Sequence, residues 1–118
     1  MTEIPKTVFH AGQSAAWFIG HVRALAMNPK ECCADQGSYL VAAELFYFLH
    51  EPSPAQDELA LSGDQRDAFE RLRACVSRVP IGARSGDASA AASLADMSHP
   101  AWEAPRRTAR DLLLTLGQ

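Results

Sequence analysis

The spacing of apolar residues near the N-terminus predicts a first helix over Thr7–Met27. Apolar residues recur there at intervals of three or four, which places them on one face of a helix. They are Val8, Ala11, Ala15, Ile19, Val22 and Ala26. Asn28-Pro29 ends the helix, because the residue before a proline is disfavoured in the helical conformation. Gly12 and Gly20 inside it predict close packing against a neighbouring helix.

The segment Ser38–His50 is apolar at nearly every position, and a helix that is hydrophobic all round is usually the central one of a bundle. Its apolar residues are Tyr39, Leu40, Val41, Leu45, Phe46, Tyr47, Phe48 and Leu49. A buried strand is the alternative, because aromatic residues favour strands. The length of the segment and its Ala42-Ala43-Glu44 insert favour the helix. Carboxylates are rarely buried alone, so Glu44 is expected at the bundle edge or paired with Arg78 or Arg110, with a functional contact as the alternative.

Capping patterns set the bounds of the other helices. Asn28 with Pro29 and Glu31 predicts a short second helix, and Ser53 with Pro54 and Gln56 predicts another that ends near Leu61. Ser62 with Gln65 begins a helix that runs to Val79, Asp87 caps an alanine-rich helix to Met97, and a last helix covers Pro105–Leu116. The Ser62 helix has an apolar stripe of Phe69, Leu72, Cys75, Val76 and Val79, and its outer face carries the charge pairs Asp67–Arg71 and Glu70–Arg73.

Composition agrees with a helical fold. The 118 residues fit one domain, and 21 of them are alanine, the best helix former and a poor strand former. Since the loops are short, successive helices are expected to pack antiparallel. We therefore predict an all-α single domain over residues 1–118, an antiparallel bundle of five or six helices.

The sequence also indicates the cellular compartment in which the chain is expected. The chain has no apolar run of 18 residues, and its N-terminus lacks the order of a secretion signal, so neither a membrane span nor export is expected. Its three cysteines, Cys32, Cys33 and Cys75, are an odd count that predicts reduced thiols in the cytoplasm. The net charge of −3 argues against general nucleic-acid binding.

Catalytic and metal motifs are missing from the sequence. It contains no histidine or cysteine pattern at zinc spacing, no glycine-rich phosphate loop and no nucleophile elbow. His10 and His21 share a helix face but lie roughly 16 Å apart along its axis, too far to hold one ion. With Ser14 and Trp17 between them they form a stripe for packing or for a partner. We therefore expect no enzyme activity, no cofactor and no metal site.

The charges are segregated along the chain. From Glu44 to Glu70 there are seven acids and one arginine, a net charge of −6, whereas Arg71 to Arg84 contains four arginines and no acid, a net charge of +4. An ordinary solvated helix face is the plain interpretation. The functional one is an acidic patch for a basic protein partner, since such patches steer association, with aromatic anchors from Tyr39, Phe46, Tyr47 and Phe48.

Residues 38–79 combine an aromatic-rich helix, an acid-rich turn and an amphipathic helix. These are Glu44-Leu45-Phe46-Tyr47-Phe48-Leu49-His50-Glu51-Pro52-Ser53-Pro54, then Gln56-Asp57-Glu58, then Asp67-Ala68-Phe69-Glu70-Arg71-Leu72-Arg73. In this order the segment resembles immunity proteins of the colicin-D type and of contact-dependent growth inhibition systems. The resemblance implies a cytoplasmic protein that binds a secreted bacterial toxin domain, in many cases a nuclease with a basic cleft, and blocks it in a 1:1 complex.

The resemblance also implies partner-binding residues. The acids Glu51, Asp57, Glu58, Asp64, Asp67 and Glu70 would each pair with a lysine or arginine of the toxin, with Tyr47 as an apolar anchor beside them. Residues 80–118 lie beyond the resemblance.

Three other functions remain as alternatives. A self-associating structural or adaptor bundle would bury the apolar surplus of Ser38–Leu49 in a homodimer. An enzyme or small-molecule binder would use His21, Cys32 or His50. A helix-turn-helix regulator would use Arg71, Arg73, Arg78 and Arg84, or Arg106, Arg107 and Arg110, but the adjoining acids would repel DNA phosphates.

Overall fold

The computed structural model describes the backbone of residues 3–51 and 60–117 and the side chains of residues 15–51 and 60–117. These ranges contain six α-helices and no strand, which confirms the prediction of an all-α bundle. The helices are α1 (Glu3–Ala26), α2 (Pro29–Asp35), α3 (Val41–Leu49), α4 (Gly63–Ser77), α5 (Ala90–Met97) and α6 (Glu103–Thr115). Single 3₁₀ turns cover Ile81–Ala83 and Pro100–Trp102. The predicted Pro54 helix falls almost wholly outside the described residues.

Two of the predicted caps are formed. The side chain of Asn28 accepts a hydrogen bond from the Glu31 backbone N–H at 2.8 Å, and Pro29 begins α2. Ser62 and Gln65 make both bonds of a capping box at the start of α4. These caps are local, since donor and acceptor lie three residues apart, and that is why the sequence alone predicts them.

The start of α3 differs from the prediction. Gly37, Ser38 and Leu40 have positive φ angles of 80°, 53° and 49°, so the chain turns there and the helix begins only at Val41. The Val41 backbone N–H donates to Ser93 Oγ of α5 at 3.4 Å. A partner from a distant helix thus satisfies this helix end, and no local pattern predicts it.

Although α3 is apolar at nearly every position, it packs into the core on one side only. Val41, Ala42, Leu45 and Leu49 are buried, but Phe46 and Phe48 are only half-buried and Tyr47 is exposed.

The cap of α5 differs from the prediction, because Ser89 caps this helix and Asp87 accepts a hydrogen bond from the Ser89 backbone N–H at 2.9 Å.

The core lies where α1, α4 and α6 pack together, with α3 against α1 and α4. Phe18 of α1 stacks on Phe69 of α4, with ring centroids 4.8 Å apart. Trp102 is completely buried, and its indole N–H donates to the Ala83 carbonyl oxygen at 2.9 Å. The predicted inner residues Ala109 and Leu112 are buried, while Leu113 and Leu116 are half-buried against the core.

Arg106 joins three helices from inside the core. Its side chain is 3% exposed and donates to the Met27 carbonyl after α1, to the Met97 carbonyl at the end of α5 and to the Glu103 carboxylate on α6. Arg110 donates to the Ala26 carbonyl at 2.9 Å. Both arginines therefore cap the C-terminus of α1, where positive charge is favourable. Arg106 is not available to a nucleic acid, contrary to the helix-turn-helix alternative.

Candidate binding surface

Two large aromatic side chains stand exposed on adjacent helices. Trp17 of α1 is 53% exposed and Tyr47 of α3 is 66% exposed. Single exposed apolar residues are common on protein surfaces, whereas contiguous ones mark interaction sites. Trp17 and Tyr47 therefore indicate an interaction site only if the two rings belong to one continuous surface.

The helical register of α3 places the exposed Tyr47 and the half-buried Phe48 between two carboxylates. Glu44, Tyr47, Phe48 and Glu51 follow the spacing i, i+3, i+4 and i+7, which defines one helix face that continues just past the last turn. The buried residues of α3, namely Val41, Ala42, Leu45 and Leu49, occupy the neighbouring side of the helix. Because the buried positions fix the rotation of α3, they also fix which side chains it presents outward.

Ring contacts connect this face with α1. Phe48 lies 4.2 Å from Trp17, 5.0 Å from His21 and 5.1 Å from Tyr47, measured between ring centroids, and Trp17 lies 4.6 Å from His21. Trp17, His21, Tyr47 and Phe48 form what we call the aromatic cluster. Contacts of this tilted or edge-to-face kind contribute about 0.5–1.5 kcal/mol each beyond area burial. The rings are therefore held in place before any partner arrives.

A groove of about 430 Å³ opens beside the aromatic cluster, between α1, the end of α2 and α3. Its lining consists of Ala16, Trp17, Gly20, His21, Asp35, Gln36, Glu44 and Phe48. Two of these residues are acids and none is lysine or arginine. A Cβ added at Gly20 would meet nothing within 4 Å, so the close packing predicted at this glycine is absent. Gly20 instead leaves the wall of the groove open.

His21 is the most buried polar residue of the groove, with 7% of its surface exposed. Its Nδ1 lies 2.8 Å from the Trp17 carbonyl oxygen, which accepts a hydrogen bond only if Nδ1 carries the proton. In the neutral ring Nε2 is then a lone-pair acceptor. Within the described part of the chain, no donor is bonded to it.

Neither Asp35 nor Glu44 of the groove forms an ion pair with another described residue. Ion pairs between described residues join Glu70 to Arg73 and Glu103 to Arg106, and His50 approaches Glu51 at 3.7 Å. Of the two structural alternatives for Glu44, its half-buried position fits the bundle edge, and the ion pairs between described residues do not join it to Arg78 or Arg110. Asp35 accepts only a hydrogen bond from the Gln36 side chain at 2.9 Å.

The structure brings together some of the predicted partner-binding residues. Tyr47 and Glu51 share the outward face of α3. Glu70 is bound by Arg73 at 2.7 Å, and Arg73 also donates to the His50 carbonyl oxygen, which ties α4 to the end of α3. Asp57 and Glu58 lie outside the described residues.

The other acids, Asp64 and Asp67, are exposed on α4. That helix carries three acids and three arginines, so its charge is balanced. The excess of acid seen along the sequence is therefore not a property of α4.

Sequence reasoning did not single out Ala16, Asp35 or Gln36 of the groove, and it assigned Gly20 to helix packing. Their positions between two helices come from tertiary packing. Trp17 and His21 were placed on one stripe by spacing, and Glu44 was flagged as the single carboxylate of an apolar segment. The sequence therefore indicates several residues of the groove, but it does not indicate which residues they meet in the fold.

In comparisons with family models, curated proteins and solved structures, no match to this chain was found. The site is interpreted from its own residues.

The buried thiols do not resemble catalytic nucleophiles. Burial raises the pKa of Cys32 from 9.0 to about 12, with a further contribution from the adjacent Cys33, whose own pKa is also raised by burial. A thiol with so high a pKa stays protonated at neutral pH, and the thiolate is the reactive form. All three cysteines are free, as predicted.

Two further features were searched for in the described residues. No group of three or more histidine, cysteine, aspartate or glutamate side chains lies close enough to hold a metal ion. No described helix is long and apolar enough to cross a membrane.

Proposed function

We propose that this chain is an immunity-type binding protein that neutralises a basic bacterial toxin domain in the cytoplasm, in a 1:1 complex. The observation that carries the proposal is the exposure of Tyr47, held in the aromatic cluster between Glu44 and Glu51. The resemblance of residues 38–79 to immunity proteins supports the choice of partner.

Tyr47 and Trp17 have the properties of binding anchors. Tyrosine and tryptophan are enriched among the residues that dominate interface energies, because each buries a large area while losing few rotamers. Ring contacts already restrain both side chains in the free protein. Less conformational entropy is then lost on binding, and more of the buried area contributes to affinity.

The surrounding charge indicates a basic partner. Asp35, Glu44 and Glu51 lie in or beside the aromatic cluster, and the described residues that line the groove include no arginine or lysine. Self-association would bring this face against its own copy in a two-fold dimer and so bring the acids together. A basic partner would instead gain both attraction and faster association.

The test first requires that a neighbouring gene encodes a large exported protein with a short basic C-terminal domain, and then measures binding of this chain to that domain. Isothermal titration calorimetry should give a 1:1 complex, and Tyr47→Ala should weaken it by about 30-fold or more, which corresponds to about 2 kcal/mol at a central anchor. Leu114→Ala is the matched control, because Leu114 is 75% exposed on α6, outside the aromatic cluster. Equal losses in both variants, or no complex with the wild-type chain, would refute the proposal. A stable homodimer in light scattering that Tyr47→Ala dissociates would favour the adaptor alternative.

A further inference from the structure

We propose that the groove between Trp17, His21, Glu44 and Phe48 binds a guanidinium group, supplied by an arginine side chain of the partner. The inference rests on the proposed function in one respect, namely that the arginine belongs to a protein partner. The groove itself is a feature of the free chain.

The walls of the groove suit a planar cation. Trp17 and Phe48 approach each other at 4.2 Å with their planes at 67°, so the groove has two aromatic walls of different orientation. Arginine binds aromatic faces by cation–π attraction and by stacking, and tryptophan is the strongest such partner. This chain already uses the same contact elsewhere, where the Arg84 guanidinium lies 3.7 Å from the centre of the Phe46 ring.

The polar lining of the groove is rich in acceptors. Asp35 and Glu44 contribute carboxylates, and neither is paired with a cation in the described structure. His21 adds an independent observation, because it is more than nine-tenths buried and its Nε2 has no partner there. No buried side-chain nitrogen or oxygen among the described residues lacks a hydrogen bond, so the unbonded Nε2 is accessible to solvent, and His21 lines the groove. The groove therefore presents two carboxylates and, in the tautomer that bonds Trp17, one imidazole nitrogen acceptor, a set that suits a cation with several N–H donors.

These features favour a guanidinium over other cations. Arginine offers five N–H donors in one plane, whereas a quaternary ammonium has none and a lysine ammonium is a compact, strongly hydrated charge. The volume of about 430 Å³ lies within the usual range for ligand pockets and leaves room for the side chain with water.

The experiment titrates the free chain with N-acetyl-arginine amide and follows the Trp17 indole and Gly20 backbone resonances by NMR. We expect saturable shifts with a Kd on the order of 1 mM, since a single side chain carries little binding energy. N-acetyl-citrulline amide has the same shape without the charge and should bind at least ten-fold more weakly. Tetramethylammonium, which has the charge without donors, should also bind more weakly. Equal binding of either comparator, or shifts confined to other residues, would overturn the inference.

Variants locate the site within the groove. Glu44→Gln should raise the Kd by about ten-fold, while Asp111→Asn, which removes an exposed acid from α6, should leave it within two-fold. Gly20→Leu should abolish the shifts by filling the groove, whereas Gly20→Ala should retain them, because a Cβ there meets nothing within 4 Å. Thermal melting shows whether each variant is folded. Retained arginine binding in folded Gly20→Leu would place the site elsewhere.

The two proposals can fail separately. If the toxin domain binds in a Tyr47-dependent manner but neither the arginine probe nor Glu44→Gln has an effect, the groove inference is wrong and the proposed function stands. If the probe binds but no toxin domain does, the proposed function is wrong and the groove remains a guanidinium site.

Discussion

At the scale of single residues, Arg106 contributes to stability through three bonds to three different parts of the chain. Arg106→Met should destabilise the fold by about 2–4 kcal/mol, because buried carbonyl oxygens of Met27 and Met97 would lose their donors. Urea denaturation measures the change. Arg107→Met, at the exposed neighbouring position, should stay within about 0.5 kcal/mol of wild type. Equal losses in both variants would contradict this role of Arg106.

The raised pKa of Cys32 gives a pH dependence to stability. Below pH 9 the thiol is protonated in both folded and unfolded states, so it has no effect on the free energy of unfolding. Between about pH 9 and 12 the unfolded state loses this proton while the folded state keeps it, so stability must fall as the pH rises.

Thermal melting from pH 8 to 11 checks this effect. Cys32→Ala removes the titrating thiol and should reduce the fall in Tm at high pH. Comparing the variant with the wild-type chain cancels the contribution of other groups that titrate in this range. Cys75→Ala, which removes a half-buried thiol from α4, serves as the control variant. An unchanged pH slope in Cys32→Ala would show that this thiol does not contribute.

At the scale of helices, the cap of α4 is both local and tertiary. The Ser62 hydroxyl oxygen accepts a hydrogen bond from the Gln65 backbone N–H, and the Gln65 side-chain oxygen accepts one from the Ser62 backbone N–H. The Gln65 side-chain amide also donates to the Thr115 carbonyl at the end of α6. Ser62→Ala should cost about 1 kcal/mol and Ser62→Gly only a few tenths, because glycine is tolerated at this position.

Chemical denaturation of the two variants tests the role of the cap. Gln65→Ala should cost more than Ser62→Ala, since it also removes the bond to α6. Ser98→Ala is a suitable control, because Ser98 is exposed at the C-terminus of α5, where its side chain has no capping bond. The reverse order, with Ser62→Ala the more destabilising, would mean that the bond to α6 adds nothing.

At the scale of the whole molecule, the proposed complex should depend strongly on salt. Acids near the aromatic cluster attract a basic domain over distances that salt screens, so the association rate should fall steeply between 50 and 500 mM NaCl, while the dissociation rate changes less. Stopped-flow fluorescence measures both rates.

Variants of single residues distinguish electrostatic steering of the partner from direct contacts in the complex. Glu51→Gln, on the exposed rim of the aromatic cluster, should lower the association rate and flatten its salt dependence, whereas Tyr47→Ala should mainly raise the dissociation rate. Asp87→Asn, in the loop before α5, is the matched control. An association rate independent of salt would exclude electrostatic steering.

The sequence by itself determined the helical class, most helix ends and the existence of one unusual carboxylate in an apolar segment. Periodicity, proline positions and capping pairs act over three or four residues, so they are visible without the fold. The same local logic placed Tyr47 and Glu51 as candidates and put Trp17 and His21 on one stripe.

Only the tertiary structure decided which of these residues meet. The rotation of α3 follows from packing Leu45 and Leu49 into the core, and that rotation sets Phe48 against Trp17 and His21 of another helix. Its register also depends on Ser93, 52 residues away, which bonds the first N–H of α3. Charge segregation along the chain likewise says little about the surface, because α4 places arginines beside its acids. Contacts between distant segments depend on the packing of all core residues together, and a short stretch of sequence does not contain that information.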